Sequence, residues 1–125
     1  MSAYIQDMRV GDDYKFSIVR QGLDTLPLDI TGYKFWITLK RSFDDLDADA
    51  VLQFSVTAGD NAGDDLLNGL CIVHIPASIT KDVPVGKYFW DIQESALGGQ
   101  ITTVLPPLAD YKDKINVYPE VTRAI

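Results

Sequence analysis

Apolar and polar residues alternate with a period of two in one run after another along this chain. From Tyr33 to Arg41, the residues Tyr33, Phe35, Ile37 and Leu39 fall on one side, and Lys34, Trp36, Thr38 and Lys40 fall on the other. An extended strand sorts side chains this way and a helix does not. Tyr14 to Arg20 repeats the pattern, with Phe16 and Ile18 opposed to Lys15, Ser17 and Val19. Ala50 to Val56 aligns Leu52, Phe54 and Val56, and Lys87 to Ser95 is led by Tyr88, Trp90 and Ile92 on one face. Leu70 to Ile75 is apolar on both faces apart from His74, which predicts a central, well-covered strand.

Turn chemistry separates these runs. Gly22, Asp24 and Pro27 follow the first, and Asp29-Ile-Thr-Gly32 leads into the second. Asp44 to Asp49 forms an acidic connection, and Thr57 to Asn68, rich in Gly, Asp and Asn, reads as a turn or hairpin loop. Pro76 and Pro84 bracket a segment with room for one helical turn at most. Gly98-Gly99 predicts a two-residue turn with Ile101 to Leu105 as its return strand, and after Pro106-Pro107 a last strand runs from Ile115 to Val121. About seven strands at roughly ten-residue spacing, without a long amphipathic helix, predict an all-β fold. The expected architecture is a single immunoglobulin-like antiparallel β-sandwich over residues 1–125, with 1–10 as an N-terminal arm that the core does not need and that orders on assembly.

One local arrangement sharpens this reading. Asp82-Val-Pro-Val-Gly86-Lys-Tyr88-Phe-Trp90 places a turn, then Gly, then Tyr at the start of a strand. Immunoglobulin-like domains use such a Tyr at the corner before their sixth strand, its hydroxyl bonded back to upstream backbone. The competing reading is an ordinary partly buried Tyr where a strand begins.

Composition agrees and narrows the choice of function. Sixteen of the eighteen acidic residues are Asp, a turn former, and only Glu94 and Glu120 are Glu. The net charge of −7 opposes binding to phosphate backbones and to anionic membranes, so neither nucleic acid nor membrane is an expected partner. The first residues have neither a basic start nor an apolar run, and no stretch approaches the ~20 apolar residues of a membrane span. Cys71 is the sole cysteine, which rules out an internal disulfide.

Candidate chemistry is sparse. His74 is the sole histidine, and at three residues from Cys71 on a strand it faces away from it, so the two form no nucleophile–base pair. Nucleotide-binding glycine loops, hydrolase elbows and paired-cysteine motifs are absent. Asp45, Asp47 and Asp49 resemble part of a calcium loop, but Ala50 and Val56 stand where that loop needs Gly and Glu. With Asp44, Asp60, Asp64 and Asp65 they could still gather into a generic cation site; solvated loop carboxylates are the plainer reading. No catalytic residue, cofactor or metal is therefore assigned. The candidate interface residues lie on the expected outer faces of two strands, where Trp36 points with Lys34, Thr38 and Lys40, and Phe89 with Lys87 and Asp91, as aromatics do in contact surfaces. The alternative is that a loop, a terminus or a barrel-like curl covers these rings.

Four stretches, taken in order, resemble the small immunoglobulin-like structural domains of tailed bacteriophages, of the type found at the N-terminus of baseplate upper proteins. They are Gly11-Asp-Asp-Tyr-Lys-Phe-Ser-Ile18, Leu26-Pro-Leu-Asp-Ile-Thr-Gly32 with the aromatic strand after it, Gly86-Lys-Tyr-Phe-Trp-Asp-Ile-Gln93, and a closing strand ending Val121-Thr-Arg123. The resemblance implies a non-enzymatic virion component, made in the host cytoplasm, that docks onto other phage structural proteins in a symmetric, many-copy assembly. Baseplate members continue into a stalk, whereas this sequence stops at Ile125, so capsid decoration or a place in a tail, collar or baseplate ring is expected instead. Two other expectations stand beside it. One is a carbohydrate- or receptor-binding module using Trp36. The other is an enzyme built on a carboxylate pair such as Asp91 with a loop Asp, which no spacing in the chain suggests.

Overall fold

The structure is a computed structural model that describes residues 2–3, 7–22, 24–42, 49–96, 99–105 and 114–119. Among the described residues are nine strands: β1 (Ser2–Ala3), β2 (Met8–Arg9), β3 (Tyr14–Val19), β4 (Lys34–Lys40), β5 (Leu52–Thr57), β6 (Leu70–Ile75), β7 (Gly86–Ser95), β8 (Ile101–Leu105) and β9 (Lys114–Tyr118). A single helical turn, α1 (Ala77–Thr80), lies between the two prolines. Seven of the strands are long enough to show a period-two pattern, and these are the runs that the sequence marks. The acidic connection at 44–47, Gly98, Pro106-Pro107 and Val121 to Arg123 lie outside the described residues.

The strands form two sheets, in the orders β1-β3-β6 and β2-β9-β7-β4-β5, with β8 also on β7. This is an all-β immunoglobulin-like sandwich. The first strand is divided between the sheets: β1 pairs antiparallel with β3, and β2 crosses over to pair with β9. The second pairing is parallel, so the sandwich is not wholly antiparallel as expected. β8 and β9 share one side of β7, lying beside Ile92–Ser95 and Gly86–Phe89 respectively, with a register shift at Ile92/Gln93.

Alternation delivers one residue in two to the interior. Phe16 and Ile18 on β3, with Cys71, Val73 and Ile75 on β6, meet Phe35, Ile37 and Leu39 on β4 and Ile92 on β7, all of them buried. Each such side chain contributes about 1.5–3 kcal/mol of transfer free energy. Tyr88 is 3% exposed and its hydroxyl donates to the Pro84 carbonyl at 2.6 Å, so the corner predicted from the sequence forms.

Three expectations need correction. Residues 8–10 are not a detachable arm: Met8 is fully buried, Val10 packs on the core, and the Val10 N–H donates to the Tyr118 carbonyl at 3.0 Å. A short, mixed sequence hid this because a two-residue strand is too short to show a period. Second, among the described residues β6 stands at the end of its sheet rather than in the centre. Its second apolar face exists because the 58–69 loop folds over it, and a Cβ at Gly63 would collide with the Ile72 side chain. Third, β7 and β8 begin to pair at Ser95 and Ile101, with a turn closed by the Gly99 N–H on the Ala96 carbonyl, so the connection is longer than two residues.

Candidate interaction face of the larger sheet

Register fixes what shares the outer face of the larger sheet. Lys34 stands between Thr57 and Ser95, Trp36 between Ser55 and Gln93, Thr38 between Gln53 and Asp91, and Lys40 beside Phe89. Lys87 lies further along β7, opposite Asn116. Alternation pairs Trp36 with Lys34 and Phe89 with Lys87, and the β4–β7 pairing brings both pairs to one face, at two places on it. Trp36 and Lys40 are two rows of the pleat apart, roughly 13 Å along the strand. Thr38 and Asp91 fill the middle.

The two places differ in character. At the first, the Lys34 ammonium sits 5.0 Å from the centre of the half-buried Trp36 ring, a cation–π contact. At the second, Phe89 is half-buried and lines a shallow depression of about 80 Å3 together with Thr38, Lys40, Trp90 and Asp91. Thr38 is only 1% exposed, and its hydroxyl accepts from Gln53 Nε2 at 3.4 Å. Around these two places stand three lysines, Lys34, Lys40 and Lys87, with Asp91 between them, and beyond Lys87 the same sheet carries Asp7 on Asn116 and Arg9 over Tyr118.

The loop acids are committed elsewhere. Asp60 Oδ2 accepts from the Thr57 N–H at 3.0 Å, and Asp64 Oδ2 accepts from the Gly59 and Asn61 N–H groups at 2.8 and 3.3 Å. Asp64 Oδ1 reaches β6 and accepts from the Ile72 N–H at 2.7 Å, while Asn61 Nδ2 donates to the Ile72 carbonyl at 2.7 Å. These carboxylates do the work of backbone partners for a loop and a strand edge. Among the described residues no group of three acidic, His or Cys side chains is placed to hold a metal ion.

Cys71 faces the core and His74 the opposite side of β6, as their spacing required. Burial, with Asp64 and Asp60 adding to it, pushes the Cys71 thiol up to about 12, so it stays protonated at neutral pH. His74 Nε2 lies 3.5 Å from Asp13 Oδ2, an ion-pair distance rather than a hydrogen bond. Asp13 itself is held below the usual carboxylate value, chiefly by accepting the Ala77 N–H at the start of α1, with His74 and Lys15 helping.

Two features lay beyond sequence reasoning. One is the ion pair of Arg20 with Glu94, which joins residues 74 positions apart. The other is the place of β5 at the end of the larger sheet's strand order among the described residues, visible once that order is known.

The fold thus defines the class as an immunoglobulin-like β-sandwich. No protein-family model matches the sequence, and no curated protein matches it. Among solved structures it is similar to the soluble domain of PmoD from Methylocystis sp. ATCC 49242 (Rockwell), with 12% identity and a TM-score of 0.44 over 91% of this chain and 79% of that one.

Proposed function

We propose that the protein is a non-enzymatic structural subunit of a tailed-bacteriophage virion, docking onto neighbouring subunits as a capsid decoration or as part of a tail, collar or baseplate. The observation that carries this reading is the outer face of the larger sheet. Two half-exposed aromatics, Trp36 and Phe89, sit there among lysines on an otherwise acidic chain. Such a face suits an acidic protein surface, where charge steers the approach and the rings supply contact area. The resemblance of four stretches to phage immunoglobulin-like domains supplies the setting.

The carbohydrate-binding reading is weaker. A sugar stacking on Trp36 would have to displace the Lys34 ammonium that already lies over the ring.

The test is incorporation. Particles assembled with Trp36→Ala and Phe89→Ala together should contain several-fold fewer copies by quantitative mass spectrometry, while the purified variant keeps its β-rich circular dichroism. Full occupancy in such particles would reject the proposal, as would a phage that assembles and infects normally without the protein in its virion.

A further inference from the structure

Three connections meet at one end of the sandwich. Val19 pairs with Leu70, Lys34 with both Thr57 and Ser95, and Ser95 with Ile101, so 20–33, 58–69 and 96–100 all join strands at that end. Arg20 draws them together. Its N–H donates to the Gly69 carbonyl at 2.9 Å, its carbonyl accepts from the Leu28 N–H at 3.2 Å, and its guanidinium holds Glu94 beside Ser95.

Each connection sets an apolar side chain in water. Leu26 is 61% exposed, Leu67 71% and Ile101 58%. Single exposed apolar residues are ordinary on a protein surface. Here three of the five large ones exposed among the described residues share one end, although they lie far apart in sequence. The two leucines sit on fixed turns: the Gly22 N–H donates to the Leu26 carbonyl at 2.9 Å, and the Gly69 N–H to the Leu66 carbonyl at 3.2 Å. A preorganised loop loses little freedom when a partner binds.

The same loops expose Asp24, Asp29, Asp60 and Asp65. Asp24 accepts from the Leu26 N–H, Asp29 from the Thr31 hydroxyl and N–H, Asp60 from the Thr57 N–H, and Asp65 from Asn68 Nδ2. All of these donors are neutral, so they position the carboxylates without cancelling their charge. The described residues of the three connections contain one cation, Arg20, and Glu94 holds it.

We infer that this end is a second interaction surface and that its partner is a basic protein segment carrying apolar side chains. Leu26, Leu67 and Ile101 supply contact area, and the aspartates attract and orient lysines or arginines on the partner. Charge excludes the other occupants. Phosphate backbones, anionic membranes and a second copy of this chain, at net charge −7, are all repelled from an acidic end. The surface lies at the end of the sandwich rather than on the sheet face that holds Trp36 and Phe89, and it suits a partner of the opposite sign. The inference therefore stands apart from the virion reading.

Fluorescence anisotropy of labelled synthetic peptides against the full chain tests it. The probes are a short amphipathic Leu/Lys peptide, the same peptide with Gln for each Leu, and one with Glu for each Lys. The Leu/Lys peptide should bind saturably, and each of the other two about tenfold more weakly or less. The Leu26→Ser, Leu67→Ser double variant should weaken Leu/Lys binding by about tenfold, whereas Val85→Ser, at an exposed apolar residue of the opposite end, should leave it unchanged. Asp24→Asn with Asp65→Asn keeps the hydrogen-bond acceptors and should flatten the dependence of binding on salt. Absence of saturable Leu/Lys binding overturns the inference, as does binding that survives loss of both leucines. Equal binding of the Gln peptide would reduce the surface to charge alone, and equal binding of the Glu peptide, or of zwitterionic lipid vesicles, would reduce it to apolar contact; either result overturns the assignment of a basic partner.

Discussion

The Arg20 guanidinium grips the Glu94 carboxylate with two hydrogen bonds, Nε to Oε1 at 2.7 Å and a terminal nitrogen to Oε2 at 2.8 Å. Arg20 follows β3 in the smaller sheet and Glu94 lies on the inner side of β7 in the larger one, so the pair fastens the sheets together at one end. Hydrogen bonding and charge from Glu94 raise the Arg20 pKa above its ordinary value, against the opposing effect of burial. Removing the acid leaves a largely buried cation without its partner. Because the side chains keep 17% and 10% of their exposure, Glu94→Ala should cost less than a fully buried pair. The expected loss is about 2–3 kcal/mol, a fall in Tm of roughly 10 °C. Replacing both residues with Met should recover most of that loss, and chemical denaturation of the single and double variants would measure it.

Asp64 guards an edge that would otherwise be open. Its carboxylate accepts three backbone N–H groups, one of them from β6. Asp64→Ala should lower stability by about 2 kcal/mol and raise the tendency to aggregate on heating, because Ile72 loses its N–H cover. Light scattering during a thermal scan reads the second effect. A variant that melts and scatters like the wild type would show that the loop holds its place without the carboxylate.

Met8 predicts the behaviour of N-terminal truncations. Its side chain is fully buried and its strand pairs with β9. Met8→Ala should cost about 2–4 kcal/mol, and deleting residues 1–8 should cost more, since both short strands are lost. Denaturant midpoints of the two proteins would check this. An unchanged midpoint would restore the picture of a dispensable arm.

Acid should weaken the fold through two exposed aspartates. Asp29 is held below its ordinary value of 3.8 by the Thr31 hydroxyl first and the Thr31 N–H second, and Asp13 by the Ala77 N–H first. In each case the unfolded chain takes up its proton at a higher pH than the native state does. The stabilisation is therefore complete above the ordinary carboxylate range and is lost as pH falls through the lowered native values. Tm measured against pH should drop below about pH 4, and the Asp13→Asn, Asp29→Asn double variant should follow a shallower curve. Parallel curves would show that other groups govern the acid transition.

Strands were legible where a side chain's chemistry reports its face. Trp36 and Phe89 could each be set on the polar side of its own strand from spacing alone, because the period of a pleat is rigid, but that the two sides form one face follows only from the pairing of β4 with β7. Whether that face is covered could not be read, since cover comes from distant residues: Lys34 on Trp36 is local, but Gln53 over Thr38 requires knowing that β5 lies beside β4. The same limit hid the placement of β6. Its apolar second face reads as a central strand, and the fold gives it a loop in place of a neighbouring strand. Asp64 looked like a solvated turn residue and proves to be a ladder partner, a role that depends on where Ile72 ends up. Met8 stood in a segment too short for any pattern.

Cys71 carries a practical consequence. Its thiol is sealed between the sheets and remains protonated at neutral pH, so alkylating and maleimide reagents should pass it by. Fluorophores, spin labels or cross-linkers can then be directed to any cysteine introduced at the surface without first mutating the native one.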